Sequence, residues 1–230
     1  MIRLGITGTD TGVGKTVVAA ALIAGLRSTG RRVAGMKPVE TGVSGVPADA
    51  ALLRDAAGGA DCLSDVCPAQ FREPLAPLVA AARAQEPVDL PRLDAAFDRL
   101  ALGRDAIVVE GAGGLLVPIT EQLAYDGLFR RWGLDLIVVA ANRLGALNHT
   151  LLTLRAAWQA GLRVRAVVLN SVCPATESLA ACTNLDTLRA LLPGSTVVTF
   201  PYVEPPHNPA HLAAALPTPL LDTLATDELV

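Results

Sequence analysis

Six stretches of the chain are apolar over strand length: 2–7 (IRLGIT), 31–37 (RRVAGMK), 105–110 (DAIVVE), 134–141 (LDLIVVAA), 163–170 (RVRAVVLN) and 195–200 (STVVTF). The later ones are continuously apolar rather than alternating, which predicts strands covered on both faces. Segments with helical patterning fall between them at 15–29, 48–57, 75–85, 91–102, 123–132, 146–160 and 178–191. Gly30 and the pair Gly58-Gly59 stand where the first two of these helices should stop. Strand then helix, repeated, predicts an α/β fold with a mostly parallel central sheet and helices on both faces. No internal repeat and no shift in composition divides the chain, so residues 1–230 read as one domain.

Composition narrows what such a fold can bind. Hydrophobic residues make up 51% of the 230 and aromatics only 3%, so the core must be built from Ala, Leu and Val. The net charge of -3, without a run of one sign, excludes a basic stripe for nucleic acid but leaves room for a small-anion site. The longest apolar run, 17–26, is too short for a bilayer and reads as a buried helix. The N-terminus has no apolar signal-peptide core before its glycines, so a cytoplasmic protein without membrane contact is expected. Cys62, Cys67, Cys173 and Cys182 lack zinc-ribbon or redox-pair spacing and read as free thiols. His207 and His211 are four apart, but Pro205, Pro206 and Pro209 argue against a regular helix there. A surface or nucleotide-edge role suits them better than a metal pair.

In an open parallel sheet, ligands bind at the carboxyl ends of the strands. Here those ends are GTDTGVGKT, KPVETG, EGAGG, NRLGALNH, NSV and PYVEPPHN, and they are the unusual parts of the chain. The first, residues 8–16, follows a strand and opens a helix, as a phosphate-binding P-loop does. Its ending, Gly14-Lys15-Thr16, fits; its beginning does not, because the first glycine of the general pattern is replaced by Thr9 and Gly8 lies one step early. Backbone amides and the helix start can hold phosphate oxygens, Lys15 can reach the outer phosphates, and the Thr16 hydroxyl can ligate Mg²⁺.

Mg²⁺ takes oxygen ligands, commonly one or two carboxylates plus phosphate and water. Glu110 ends an apolar strand, where a carboxylate is costly to bury without a cation. Asp49 starts the second helix and reads equally as a metal ligand or a first-turn charge. Lys37, one of only two lysines, ends the second strand, where it either meets a transferring phosphoryl group or a carboxylate-like anion, or is merely solvated. The helix opening at LGALNH could bind a second anion, although Asn148 also reads as a helix cap. Asn170 is either a base-reading amide or a turn residue.

Taken together, GTDTGVGKT, KPVETG, VEGAGGLLVP, LGALNH and Asn170 make the chain resemble the dethiobiotin synthetase family over about residues 2–210. That family's P-loop has five residues between its glycines, as here. The resemblance implies a P-loop NTPase-type α/β fold and closure of a ureido ring from 7,8-diaminopelargonate, CO₂ or bicarbonate, and ATP with Mg²⁺. The route passes through a carbamate and a carbamic-phosphoric anhydride. It also implies a homodimer with the substrate site shared across the interface.

Residue by residue, the resemblance assigns Thr16, Asp49 and Glu110 to the metal and Lys15 and Lys37 to catalysis. Gly12, Val13, Gly14, Lys15, Thr16 and Val17, with Gly111, Ala112 and Gly113, would surround the phosphates. Asn170, Ser171, Pro201, Tyr202, Val203 and Asn208 would face the nucleoside. Thr11, Lys37 and Thr41 would meet the diamine or its carbamate, and Gly145, Ala146, Leu147 and Asn148 would bind the substrate carboxylate from the second subunit. Two positions depart from the family pattern. Gly12 stands where some members have an acidic residue, which moves amine recognition toward backbone, water or Thr11. Ser171 stands where an acidic residue can occur, which leaves the nucleotide preference open.

Two rivals share the P-loop. Amidating synthases of cobalamin synthesis carry an added glutaminase domain, for which 230 residues leave no room. Partitioning or division ATPases carry a signature lysine early in the loop, where this chain has Asp10. The C-terminal LPTPLLDTLATDELV either closes over the base or packs on the body of the protein.

Overall fold

The computed structural model describes residues 1–174, 178–205 and 207–225. Eight strands and ten helices are described: β1 (Ile2–Gly8), α1 (Lys15–Ser28), β2 (Val33–Met36), β3 (Val39–Thr41), α2 (Ala48–Ala56), α3 (Leu63–Val66), β4 (Ala69–Phe71), α4 (Pro77–Ala84), α5 (Leu90–Ala101), β5 (Ala106–Gly114), α6 (Tyr125–Arg131), β6 (Asp135–Ala141), α7 (Ala146–Gln159), β7 (Val164–Asn170), α8 (Leu179–Leu191), β8 (Thr196–Phe200), α9 (Pro209–Ala214) and α10 (Thr218–Ala225). Six strands form one parallel sheet in the order β2-β5-β1-β6-β7-β8. The mostly parallel α/β architecture expected from the apolar runs is the one found.

The continuous apolar runs are explained by coverage on both faces. Val108, Ile137, Val139 and Val168 join a core with α1, α9 and α10 on one side of the sheet. Their neighbours Ile107, Val109 and Leu136 pack on the other side with α5 and α6, and Val138, Ala140, Val167 and Leu169 pack there with α7 and α8. Each strand therefore buries both sets of alternate side chains, at roughly 1.5–3 kcal/mol for each Val, Leu or Ile fully removed from water. Helix α1 is buried continuously from Val18 to Leu26, because it lies between the sheet and α9. An apolar helix with no polar stripe is stable only in such a place.

Strand order places the site. From β1 the chain crosses to β2 on one side, and from β5 it crosses to β6 on the other, so the ends of β1 and β5 border a switch point. Met36 pairs with Val109, and Ile6 with Glu110. Lys37, Glu110 and the loop after β1 thus fall side by side.

Five elements had no counterpart in the sequence reading: β3 and β4, which form their own parallel pair, the single-turn α3, α9 and α10. Three residues are too few for periodicity to register. The prolines near His207 do not prevent a helix: Pro209 occupies the first turn of α9, where its missing N–H costs nothing, and the Asn208 carboxamide caps it by accepting from the Ala210 amide at 2.8 Å. Pro206 lies outside the described residues. Of the C-terminal segment, α10 packs into the core through Leu220 and Leu224, and residues 226–230 lie outside the described residues. Among the described residues no helix is long and apolar enough to cross a membrane.

Candidate active site

The loop between β1 and α1 is held open from several sides. The Thr9 amide donates to Val139 O on β6 at 2.9 Å, anchoring the loop's first turn. Gly14, the residue before α1, has φ 88°, in the left-handed region that favours glycine. A Cβ there would also lie 2.0 Å from Asn170 Nδ2. No side chain caps α1, so the first amides of the helix, which have no intrahelical acceptor, are left for an anion. The Lys15 ammonium folds back to Asp10 O at 3.0 Å. Burial pulls it below the ordinary lysine value, and Glu110 partly offsets that.

Beside the loop lies a chain of charged groups. Lys37 Nζ donates to Glu110 Oε1 at 2.6 Å and to Asp49 Oδ2 at 2.8 Å. Thr16 Oγ1 donates to the same Glu110 Oε1 at 2.8 Å. Lys37 and Glu110 are buried, while the Asp49 side chain is 39% exposed. For Lys37, burial opposes the charged form, but Glu110 and then Asp49 outweigh it and hold the ammonium above its ordinary value. For Glu110, burial dominates and raises the carboxyl, with Lys37 pulling the other way. The second oxygen, Glu110 Oε2, is buried and has no hydrogen-bond partner.

Each group is delivered by a different piece of backbone. Lys37 follows β2, and its amide donates to Val66 O at 2.8 Å. Glu110 sits on β5 just before a register shift, where Ile6 pairs with Glu110 but Gly8 pairs with Gly114. The shift arches Gly111–Gly113 over the end of β1. Tyr125 and Phe129 pack against that arch, with ring carbons 3.2 Å from where a Gly111 Cβ would stand. Asp49 is the second residue of α2. The residue before that helix, Pro47, supplies no cap; instead Glu40 on β3 accepts from the Asp49 amide at 3.1 Å and from the Ala50 amide at 2.9 Å.

A cavity of about 900 Å³ opens over these groups. Of the residues singled out from sequence, Thr11, Gly12, Gly14, Lys15, Thr16, Val17, Lys37, Thr41, Asp49, Glu110, Ala112 and Gly113 line it. Val13, Gly111, Asn170, Ser171, Pro201, Tyr202, Val203 and Asn208 do not, and neither do Gly145, Ala146, Leu147 and Asn148 at the start of α7. Asn148 is not a cap: Gly145 precedes α7, with φ 92°, and Asn148 is the exposed third residue of the helix. Asn170 is buried, and its Nδ2 donates to Val13 O of the loop at 2.9 Å. That donor braces the P-loop rather than facing the cavity. Asn208 is exposed and occupied as the cap of α9.

The cavity also takes in residues that motif reading passed over. Glu40 is one, lying inside KPVETG without a role of its own; the missing cap at Pro47 was the only signal for it. The turn Pro74–Pro77 closes the far wall. His207 reaches the rim, and its Nδ1 is buried without a hydrogen-bond partner, whereas His211 is exposed on α9.

An open loop at the end of β1, a GKT helix start and a carboxylate on a neighbouring strand define a P-loop nucleotide-binding protein. Comparison with known proteins agrees and goes further. The AAA domain family model matches residues 3–210. The ATP-dependent dethiobiotin synthetase BioD of Anaeromyxobacter dehalogenans (strain 2CP-C) is 47% identical over 175 residues, 76% of this chain and 78% of that protein. Those of Thermodesulfovibrio yellowstonii and Aromatoleum aromaticum are each 37% identical, covering 86% and 93% of this chain and 88% and 96% of theirs. The chain belongs to the ATP-dependent dethiobiotin synthetase family, whose members are ligases that form C–N bonds.

Proposed function

We propose that this protein, acting as one domain, closes the ureido ring of dethiobiotin from 7,8-diaminopelargonate, CO₂ and ATP. The observation that carries the reading is the hydrogen-bonded chain that runs from Thr16 of the P-loop through Glu110 and Lys37 to Asp49, all four lining one cavity. Family membership supports the same reaction. The first amine takes up CO₂, forming an N–C bond and losing a proton, to give a carbamate. A carbamate oxygen then attacks the γ-phosphorus, and ADP leaves. The second amine attacks the carbonyl of the resulting mixed anhydride and expels phosphate as the ring closes.

The difficult step brings an anionic carbamate to a polyanion. Lys37 is buried and kept charged by two carboxylates, so a fixed positive charge stands in the cavity lining where the reacting anions would meet. Lys15 can swing from Asp10 O onto phosphate oxygens, a charge-assisted exchange. Thr11 and Thr41, on the cavity wall, suit the diamine end, and Gly12 has open space around it where a side chain would project.

The donors present fit Mg²⁺. Thr16, Asp49 and Glu110 offer hard oxygens, and the unpartnered buried Oε2 of Glu110 is a ligand atom without a partner of its own. When bound there, the metal neutralises charge on the transferring phosphoryl group. Lys37 now bridges the same two carboxylates, so it holds them together until they are needed.

The nucleoside side, Asn170, Ser171, Pro201–Val203 and Asn208, follows from the family pattern; Ser171 and Pro201 directly follow β7 and β8, Asn170 acts through the P-loop that it braces, and Asn208 caps α9. A site shared across a homodimer would account for Gly145–Asn148 standing outside the cavity lining. Exposed apolar side chains lie nearby, Leu144 just before α7 and Leu152 and Trp158 on it, each at least half accessible. The test is to supply diaminopelargonate, bicarbonate, Mg²⁺ and ATP and to follow dethiobiotin by mass. Hydrolysis of ATP that is independent of the diamine and yields no ring product overturns the reading.

A further inference from the structure

We infer that Glu40 is a positioning residue for the metal site, clamping the start of α2 so that the Asp49 carboxylate is held opposite Glu110. This rests on the reading of Asp49 as a metal ligand. The observation behind it is a pair of hydrogen bonds that local sequence does not require. Helix α2 begins after Gly42-Val43-Ser44-Gly45-Val46-Pro47, and Gly42 and Gly45 both have positive φ. Pro47 has no side-chain acceptor, so the Asp49 and Ala50 amides have nothing local to bond. Glu40, nine and ten residues upstream, spends one carboxylate oxygen on each.

A serine or aspartate at position 47 could satisfy the same amides at the surface. The chain instead uses a carboxylate that is only 6% exposed, and burying one costs free energy even when it is hydrogen-bonded. What a local cap cannot do is fix where the helix start sits. Glu40 belongs to β3, in register with Gln70 of β4, and follows Lys37 by three residues. Two bonds from one rigid carboxylate to consecutive amides leave the first turn of α2 little freedom to shift. Asp49 follows a loop with two positive-φ glycines, yet its Oδ2 lies 2.8 Å from Lys37 Nζ. Without the clamp that carboxylate would have to be found again at each metal binding event.

The experiment measures binding rather than turnover. Mn²⁺ is titrated against the ADP-loaded protein by electron paramagnetic resonance, and ADP is titrated separately without metal. Glu40→Ala is expected to weaken Mn²⁺ about tenfold, as loss of a group that orients a metal ligand does. Glu40→Gln, which keeps one acceptor, should fall between it and the parent protein and carries the test if Glu40→Ala does not fold. Metal-free ADP binding should stay the same in both. A Mn²⁺ affinity unchanged in both variants, with only Tm lowered, overturns the positioning role and leaves Glu40 a helix cap. Asp49→Asn separates the two layers: if it too leaves Mn²⁺ affinity unchanged, the metal reading itself fails; if it weakens Mn²⁺ while the Glu40 variants do not, the Glu40 inference alone fails.

Discussion

At the ends of β2, β5 and β1, Lys37, Glu110, Thr16 and Asp49 are already bonded to one another, and the two central members are buried. At the ends of β6, β7 and β8 the picture differs. Asn148 is exposed, Asn208 is engaged in capping α9, and Asn170 turns its amide nitrogen inward to Val13 O. The first region is preorganised by the fold of one chain. Charges there are held at fixed separations, with Lys37 and Glu110 out of water and Asp49 partly exposed, and charge preorganised in this way stabilises a transition state without reorganising. The second region holds exposed groups at Asn148 and Asn208 beside a buried Asn170 already bonded to the loop, and none of the three lines the cavity.

Variants can break this contrast. Lys37→Ala, in the preorganised region, should cost at least about 10²-fold in turnover while leaving ADP affinity nearly unchanged, read by steady-state kinetics beside calorimetry. Parallel losses of both would show that Lys37 holds nucleotide and does not act mainly on the transition state. For the second region, Asn148→Ala and Lys37→Ala protomers, each expected to be inactive, are mixed under subunit exchange. If the substrate site is shared, roughly a quarter of wild-type activity returns, because half the dimers are mixed and each of those carries one intact site. No recovery after demonstrated exchange would place Asn148 within its own protomer's site.

A smaller effect tests the boundary between the regions. Asn170→Ala should lower stability by roughly 1–3 kcal/mol, because it leaves the Val13 carbonyl of the loop without its donor. Chemical denaturation measures this, and nucleotide affinity should fall with it. Loss of nucleotide affinity at unchanged stability would mean that Asn170 serves the base and not the loop. The smallest effect is one of reactivity. Cys67 is buried behind Lys37, where burial pushes its thiol up to about 12. Cys62, Cys173 and Cys182 are exposed. Three thiols should react quickly with a disulfide reagent in the native protein and the fourth only on unfolding; rapid reaction of all four would show that the buried region opens.

Much of the preorganised region was legible in the chain. The strand ends carrying GTDTGVGKT, KPVETG and EGAGG could be found from apolar runs that stop abruptly, because strand-end placement follows from local pattern plus the rules of parallel sheets. Glu40 was not legible as a clamp: its partners are amides nine and ten residues away, and only the three-residue β3 brings them together. Asn170 was ambiguous for a similar reason. An amide at a strand end looks the same whether it faces a base or a loop 157 residues earlier. Asn148 looked like a cap because a helix start was near, but the left-handed glycine at 145 had already ended the loop.

The sequence alone determined the alternation of strand and helix, the double-sided burial of the strands, and a phosphate loop at the end of the first one. All of these depend on neighbours in the chain, through periodicity, turn residues and helix starts. The tertiary structure alone decided that Lys37 lies between Asp49 and Glu110, that Glu40 clamps α2, and that Asn170 braces the P-loop. Those contacts join residues from 9 to 157 positions apart. The order β2-β5-β1 brings Lys37 beside Glu110, the β3–β4 pair carries Glu40 to α2, and β7 carries Asn170 to the loop; spatial proximity of that kind leaves no periodic trace in the chain.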